Sequence, residues 1–296
     1  MLLSVVFITR DRKDMLMKAI ESCVERKIAD MEIIILDNAS KNQKEDMEEV
    51  QKYLEETQVP HTIIKMTKNL GVAGGRAQAF QHAKGKYVFF FDDDAVWVTE
   101  DPFDRLCEIM NKNQRFAAIA VKAYETGTER YLAGPFAKGT TVNTSGEILS
   151  YVGCGHMLRK DVYLGTELYP PNLGYGSEEL YASLWAWLNG YVVFYAADVE
   201  MLHLRSPINR LTEDDRNFNI ITNIYIIRKL LFPKWVVPFE TLLCHLRLLK
   251  NGLYNKKWRN QFKDALCQRA NINNEVRMSN KVFWNLIKKF GFVSVV

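Results

Sequence analysis

Three carboxylates in a row, Asp92-Asp93-Asp94, directly follow the apolar and aromatic run Tyr87-Val88-Phe89-Phe90-Phe91. An unbroken run of this kind predicts a strand buried on both faces, as in the middle of a parallel sheet. Such sheets bind ligands at the carboxyl ends of their strands. Acids crowded on that edge repel one another unless a cation lies among them. A divalent metal with oxygen ligands fits the need, and its usual companion is a diphosphate. A solvated acidic turn would explain the same residues without a ligand.

Other residues can join this chemistry. Asp37 ends a second apolar run, Glu32 to Leu36. A carboxylate there can accept bonds from a ribose or a base edge. It can also form an Asx-turn or helix cap, with Ser40 a further cap candidate. A shared edge with the acid cluster favours ligand contact, and Thr9-Arg10-Asp11 ends the first strand on that edge. Asn69 to Arg76 is rich in glycine and reads as a turn where backbone approaches a partner closely. Arg76 can meet a phosphate there, although the segment is neither a GxGxxG nor a P-loop pattern. Glu178 and Glu179 follow Ser177, which can cap the next helix, and acids in a first turn suit the helix dipole. A carboxylate in that place, facing the cleft, can equally act as general base. His156 alone reads as structural, and Cys154 as packing, since no partner motif activates it.

The elements that must position these groups alternate. Strands are expected at Ser4–Thr9, Glu32–Leu36, His61–Met66, from Tyr87, at Ala117–Val121 and at Val192–Tyr195. Helices are expected at 15–24, 43–56, 78–83 and 102–112, and from Glu178 to a stop at Gly190. Residues 124–146 read as loop and hairpin, 170–176 as a mobile loop before Ser177. This alternation implies right-handed crossovers and a mainly parallel α/β sheet. From Asn217 onward the chain reads as helices broken at Pro233 and Pro238, with Trp235, Phe239, Tyr254, Trp258, Phe283 and Trp284 set among basic residues.

At 296 residues the chain can form one large or two modest domains. Its five cysteines are scattered without a CxxC pair, which suits a reducing compartment and neither a disulfide framework nor a zinc site. No basic n-region precedes the first strand, so no signal peptide is expected, and no apolar stretch is long enough to span a bilayer. The net charge of +4 divides into +12 for residues 216–296 and −8 for residues 1–215. A basic, aromatic tail behind an acidic body suits an anionic surface or acceptor, a membrane interface, or helices packing on the body or on a second copy.

Taken in order, these motifs resemble the family 2 glycosyltransferases of the GT-A fold, especially bacterial rhamnosyltransferase-like members, over about three-quarters of the chain. The matching stretches are Thr9-Arg10-Asp11-Arg12, Asp37-Asn38-Ala39-Ser40, Asn69-Leu70-Gly71 with Gly74-Gly75-Arg76, Gly85-Lys86-Tyr87 and Asp92-Asp93-Asp94-Ala95. Downstream are Gly153-Cys154-Gly155-His156, Gly176-Ser177-Glu178-Glu179 and His203. The resemblance implies a Rossmann-like, mainly parallel sheet flanked by helices. Residues 1–215 would be the catalytic domain, with 1–100 the nucleotide-binding half and 101–215 the acceptor half. Residues 216–296 would be a helical C-terminal extension.

The resemblance also implies roles. Asp37, with Thr9 and Arg10, would bind base or ribose, and Gly71, Arg76, Asp92 and Asp93 complete the nucleotide-sugar set. Asp93 is expected to face away and to be structural. Asp92 and Asp94 look like the DXD pair. Asp94 would hold Mg²⁺ or Mn²⁺, with Asp92 at the ribose or a metal-bound water, and His203 would complete the metal site or touch the diphosphate. Glu179 occupies the catalytic-base position, where many members have Asp, and Glu178 would hydrogen-bond acceptor or donor sugar. The reaction implied is inverting, metal-dependent transfer of a hexosyl or rhamnosyl group. Its donor would be a UDP or dTDP sugar and its acceptor a glycan or lipid-linked hydroxyl, as in bacterial surface glycan synthesis. Nucleic acid is not an expected partner, whereas a homo-oligomer is. The expected location is the cytoplasm, including the inner face of the plasma membrane. Tyr181 and Trp185 stand where the family often has Asp and Arg, and Ala77 where Asn is common; these departures bear on substrate subtype and activity. The alternatives are a non-catalytic nucleotide-sugar binder or assembly protein, which Tyr181 and Trp185 favour, and a sugar-nucleotide pyrophosphorylase. The latter would want a glycine-rich phosphate loop after the first strand, which Thr9-Arg10-Asp11-Arg12 lacks.

Overall fold

The computed structural model describes residues 1–128, 130–173, 175–204, 206, 208, 210–269 and 276–296. Gly174 of the expected 170–176 loop and Glu129 of the 124–146 segment lie outside the described residues. The chain runs β1 (Leu3–Thr9), α1 (Lys13–Val24), β2 (Met31–Asp37), α2 (Gln43–Thr57), β3 (His61–Lys65), α3 (Gly71–Phe80) and β4 (Tyr87–Asp92). Then come β5 (Ala95–Trp97), α4 (Pro102–Lys112), β6 (Phe116–Glu125), β7 (Tyr131–Leu132), β8 (Gly146–Glu147), β9 (Gly155–Arg159) and α5 (Lys160–Tyr163). After α6 (Glu178–Leu188) and β10 (Val192–His203) the chain is helical: α7 (Glu213–Leu231), α8 (Val237–Lys250), α9 (Lys256–Arg269), α10 (Asn280–Phe290) and α11 (Phe292–Val295).

The strands form one sheet in the order β3-β2-β1-β4-β9-β6-β10-β5, with β7 on β6 and β8 on β10. β3, β2, β1 and β4 are parallel, as their crossover helices require. β9 enters antiparallel between β4 and β6. Among the described residues between β6 and β9 there is no helix to carry the chain back across the sheet, so it returns running the other way.

Both faces of the sheet are dry, which is why its strands read as unbroken apolar runs. β1 and β4 send Val5, Phe7, Tyr87, Phe89 and Phe91 to one face, under Leu16, Ile20, Val50, Leu54 and Leu106 of α1, α2 and α4. Val6, Val88 and Phe90 point to the other, where Phe80, Leu184 and Ile226 of α3, α6 and α7 cover them. Truncating a ring such as Phe89 or Phe90 to Ala would cost ~3–5 kcal/mol. Phe218 and Phe283, beyond residue 216, join this second cluster.

Strand register builds the functional edge. Thr9 lies opposite Asp37, and Ile8 opposite Asp92. β10 runs antiparallel to β5, with His203 opposite Ala95, and the Leu204 amide donates to the Asp94 carbonyl at 2.7 Å. A histidine distant in sequence is thereby brought to the acid cluster.

Two local expectations are corrected. The segment 69–76 is not an open turn: α3 begins at Gly71, so Gly74, Gly75 and Arg76 are helical. A Cβ on Gly75 would sit 3.0 Å from Ile8 Cγ2, so glycine lets α3 lie close on β1, and packing overrides poor helix propensity. Ser177 does not cap α6, because its backbone is left-handed (φ 66°) and its side chain makes no capping bond. Among the described residues, no helix is long and apolar enough to cross a membrane.

Candidate active site

The carboxyl ends of β4 and β10 bring Asp92, Asp94 and His203 together, with one ligand atom of each within 4.8 Å of the others. His203 Nε2 lies 3.2 Å from Asp94 Oδ1 and 3.9 Å from Asp92 Oδ2. Burial works against charge on Asp94, yet His203, the Ser206 amide and Arg12 hold its carboxyl down at about 2. Burial likewise opposes charge on His203, and Asp94 with Asp92 pushes its imidazole up from the ordinary value. Two carboxylate oxygens and an imidazole nitrogen converging in this way form a donor set that fits a divalent cation.

Asp93 turns inward, 2% exposed, and takes the Arg12 guanidinium at 3.2 Å. Burial raises its carboxyl to about 7 despite Arg12. The same Arg12 Nη1 reaches Asp94 Oδ2 at 3.2 Å. Arg12 thus steadies the cluster from the start of α1, a role the sequence reading did not assign.

Asp37 is fully buried at the end of β2. Its Oδ1 accepts the Ser40 amide, three residues on, at 2.9 Å and the Gln43 side chain. Its Oδ2 is buried with no protein partner, a state that costs a polar oxygen about 1–3 kcal/mol or more. Thr9 lies beside it in register, and Arg10 follows at the strand end, 4.0 Å from the Asp11 carboxylate. Asn38, not assigned from sequence, accepts the Leu70 amide at 2.8 Å and donates to the Gly71 carbonyl at 3.0 Å. It holds the start of α3, where Gly71 has a φ of 71°. The signal available was an Asn directly after a strand-ending Asp.

Arg76, expected at a phosphate, is 4% exposed and engaged with carboxylates. Its Nη2 lies 3.0 Å from Asp92 Oδ1, and its Nη1 2.8 Å from Glu179 Oε1 and 3.2 Å from Glu178 Oε1. Nη2 also donates to the Gly153 carbonyl at 2.9 Å. Burial works against its charge, and Asp92, Glu179 and Glu178 more than offset that, raising its pKa well above the ordinary value. Gly153 has no room for a side chain: a Cβ would fall 2.0 Å from Glu179 Oε1 and 2.7 Å from Arg76 Nη1. Glu178 is sealed inside, and burial with the neighbouring Glu179 charge pushes its carboxyl up to about 8 against the pull of Arg76. Glu179 is the more open of the two, its side chain 13% exposed against 3% for Glu178.

The loop before these acids is braced from α7. Asn223 Nδ2 donates to the carbonyls of Leu173, Tyr175 and Gly176 at 3.0, 3.0 and 2.6 Å. Sequence reasoning missed Asn223, although a buried amide within the apolar run Ile220–Ile227 was a visible signal. His156 is structural as expected: it is fully buried, stacks on Phe90 and Tyr151, and shares a 2.6 Å hydrogen bond with Tyr169. Burial keeps Cys154 a thiol. Tyr181 is buried in the apolar core and Trp185 packs against Tyr163.

Comparison with known proteins fits this geometry. The sequence profile of "Glycosyl transferase family 2" matches residues 4–164, more than half of the chain. The chain belongs to that family. A relative in Escherichia coli, the UDP-Glc:alpha-D-GlcNAc-diphosphoundecaprenol beta-1,3-glucosyltransferase WfaP, is 31% identical over 98 residues, 33% of this chain and 37% of the relative. Residues 1–349 of S. aureus TarS, solved with UDP, share the fold with a TM-score of 0.63 at 16% identity, over 90% of this chain and 79% of that one. The mannosyltransferase PcManGT of Pyrobaculum calidifontis, solved with GDP-Man and Mn²⁺, shares it with a TM-score of 0.60 at 16% identity, over 96% and 78%. This family member therefore has the GT-A architecture of those proteins, with C-terminal helices added.

Proposed function

We propose that this protein is an inverting, metal-dependent glycosyltransferase that moves a hexosyl group from a UDP or dTDP sugar to a hydroxyl of a lipid-linked glycan, in bacterial surface glycan synthesis. The observation that carries this is one buried guanidinium, Arg76, joining the metal-side Asp92 to the candidate base Glu179. The unpartnered oxygen of Asp37 suits a donor from ribose or base, with Thr9 and Arg10 alongside. Asp92, Asp94 and His203 would hold Mg²⁺ or Mn²⁺. When bound, such an ion neutralises charge on the departing diphosphate.

Glu179 takes the proton of the acceptor hydroxyl while its oxygen bonds to the anomeric carbon. The anomeric carbon–phosphate oxygen bond breaks on the opposite side, and the diphosphate leaves with the electron pair, so the configuration inverts. Glu178, protonated at neutral pH, offers a hydrogen bond to donor or acceptor sugar rather than a second negative charge. Arg76 positions the base and takes no proton. The lipid-linked acceptor rests on the relative in Escherichia coli, whose name specifies a diphosphoundecaprenol-linked sugar.

The test is transfer from a panel of UDP and dTDP sugars by the purified protein with Mn²⁺. Glu179→Gln should lower kcat by ~10²–10⁴ while leaving nucleotide affinity in place. Full transfer by this variant would refute the assignment of the base.

A further inference from the structure

Helix α8 is apolar on its exposed side as well as at Cys244 and Leu248 of its buried side. Its exposed side carries Phe239, Leu242, Leu246 and Leu249, each between 42% and 61% exposed. These positions recur at helical spacing and form one stripe. Its buried side carries Glu240, 1% exposed, paired with Arg228 of α7 at 3.2 Å. An ordinary surface helix places its charges the other way round. The stripe does not end with the helix. Phe239 meets Phe292 at a ring separation of 5.9 Å, and Trp235, just before α8, stacks on Trp284 of α10 at 5.8 Å. Both tryptophans are half exposed, and Val293 is 90% exposed.

Charge around this face is of one sign. Residues 231–250 and 276–296 contain a single acid, the buried Glu240, against Lys234, Arg247, Lys250, Arg277, Lys281, Lys288 and Lys289. Lys281 and Lys288 are exposed on the same side of α10 as Trp284. Leucine and aromatic rings framed by lysines, with no exposed acidic side chain among the described residues of α8, α10 and α11 and only Glu147 of β8 paired to Lys289, match the interface of an anionic bilayer.

We infer that the face made by α8, α10 and α11 docks on an anionic lipid surface, its leucines and tryptophans entering the headgroup boundary and its lysines meeting phosphate. α7 packs between α8 and the catalytic body, and its Asn223 braces the loop before Glu178. Docking therefore sets the helical layer that steadies the base against the membrane. The inference does not depend on the identity of the transferred sugar.

The test is sedimentation of the full chain with vesicles of phosphatidylcholine alone or mixed with phosphatidylglycerol. Light scattering reports the oligomeric state, and circular dichroism confirms folding of each variant. The chain should pellet with the mixed vesicles and be released by salt. The double variant Leu242→Glu/Leu246→Glu should lose about tenfold or more in partitioning, since two apolar groups no longer leave water. Lys281→Glu/Lys288→Glu should abolish the preference for phosphatidylglycerol. The inference fails if the unaltered chain stays in the supernatant with both vesicles, or if the leucine variant pellets equally. It also fails if the chain is a dimer that the leucine variant dissociates without vesicle binding by either, which would assign the face to a second copy.

Discussion

Replacing Glu178 by Gln tests the electrostatics of the site in one measurement. Glu178 is 2% exposed, one carboxylate oxygen has no protein partner, and the cation paired with it, Arg76, is shared with Glu179 and Asp92. Its carboxyl is raised from 4.5 to about 8, first by burial and then by Glu179. A raised acid binds its proton more tightly in the folded than in the unfolded chain. Its contribution to stability is therefore complete below pH 4.5 and is lost as pH climbs through about 8. At 1.36 kcal/mol per unit, the loss between pH 5 and pH 8 amounts to about 3.5 kcal/mol. Gln has the shape of the protonated acid and does not titrate. Urea unfolding across pH 5 to 8 should show the unaltered protein falling by about that amount relative to Glu178→Gln. Subtracting the two curves removes the titrating groups that do not act on Glu178, Asp93 among them. The variant should also keep most of its transfer activity, unlike Glu179→Gln, because the carboxamide supplies the same donor. Parallel stability curves over this range would refute the picture of Glu178 as the neutral member of the acid group.

Gly153→Ala would drive a methyl group into Glu179 and Arg76, at 2.0 and 2.7 Å. It should destabilise the fold by ~1–3 kcal/mol and lower kcat by ~10² with little change in nucleotide Kd, as read by urea unfolding and steady-state kinetics. Arg76→Met would leave Asp92, Glu178 and Glu179 without their shared cation and should cost ~3–5 kcal/mol in the same unfolding assay. Chelation with EDTA should abolish transfer and added Mn²⁺ restore it, while calorimetry with Mn²⁺ should show binding that Asp94→Asn loses.

Some of this site was legible because its signals are local. The run from Tyr87 into three aspartates announces a buried strand ending at a charged edge, and Asp37 repeats the pattern. Register then places both as the alternation of elements implied. Arg76 was legible as a residue but not in its role. The glycines before it look like a turn in isolation, and only the close approach of α3 to Ile8 makes them helical, which turns the guanidinium toward the carboxylates. The antiparallel entry of β9 was hidden for a similar reason. Strand direction follows from the path of the intervening chain, and the residues of Gly155–Arg159 fit either direction. Arg12 and Asn223 act at long range, on groups whose proximity no spacing encodes. Asn223 at least left a trace as an amide in an apolar helix.

The strand that breaks the parallel sheet has a mechanical consequence. The Asp92 amide is bonded to the carbonyl of Cys154 at 3.0 Å. The preceding carbonyl, Gly153, takes Arg76, and Arg76 takes Glu179. Asp92 and Glu179, the proposed metal-side ligand and base, thus hang from two adjacent peptide groups. Thermal displacement of that short bracket carries both in the same direction, as common-mode motion. A bracket shared in this way favours a fixed gap between the two groups over a fixed position of either.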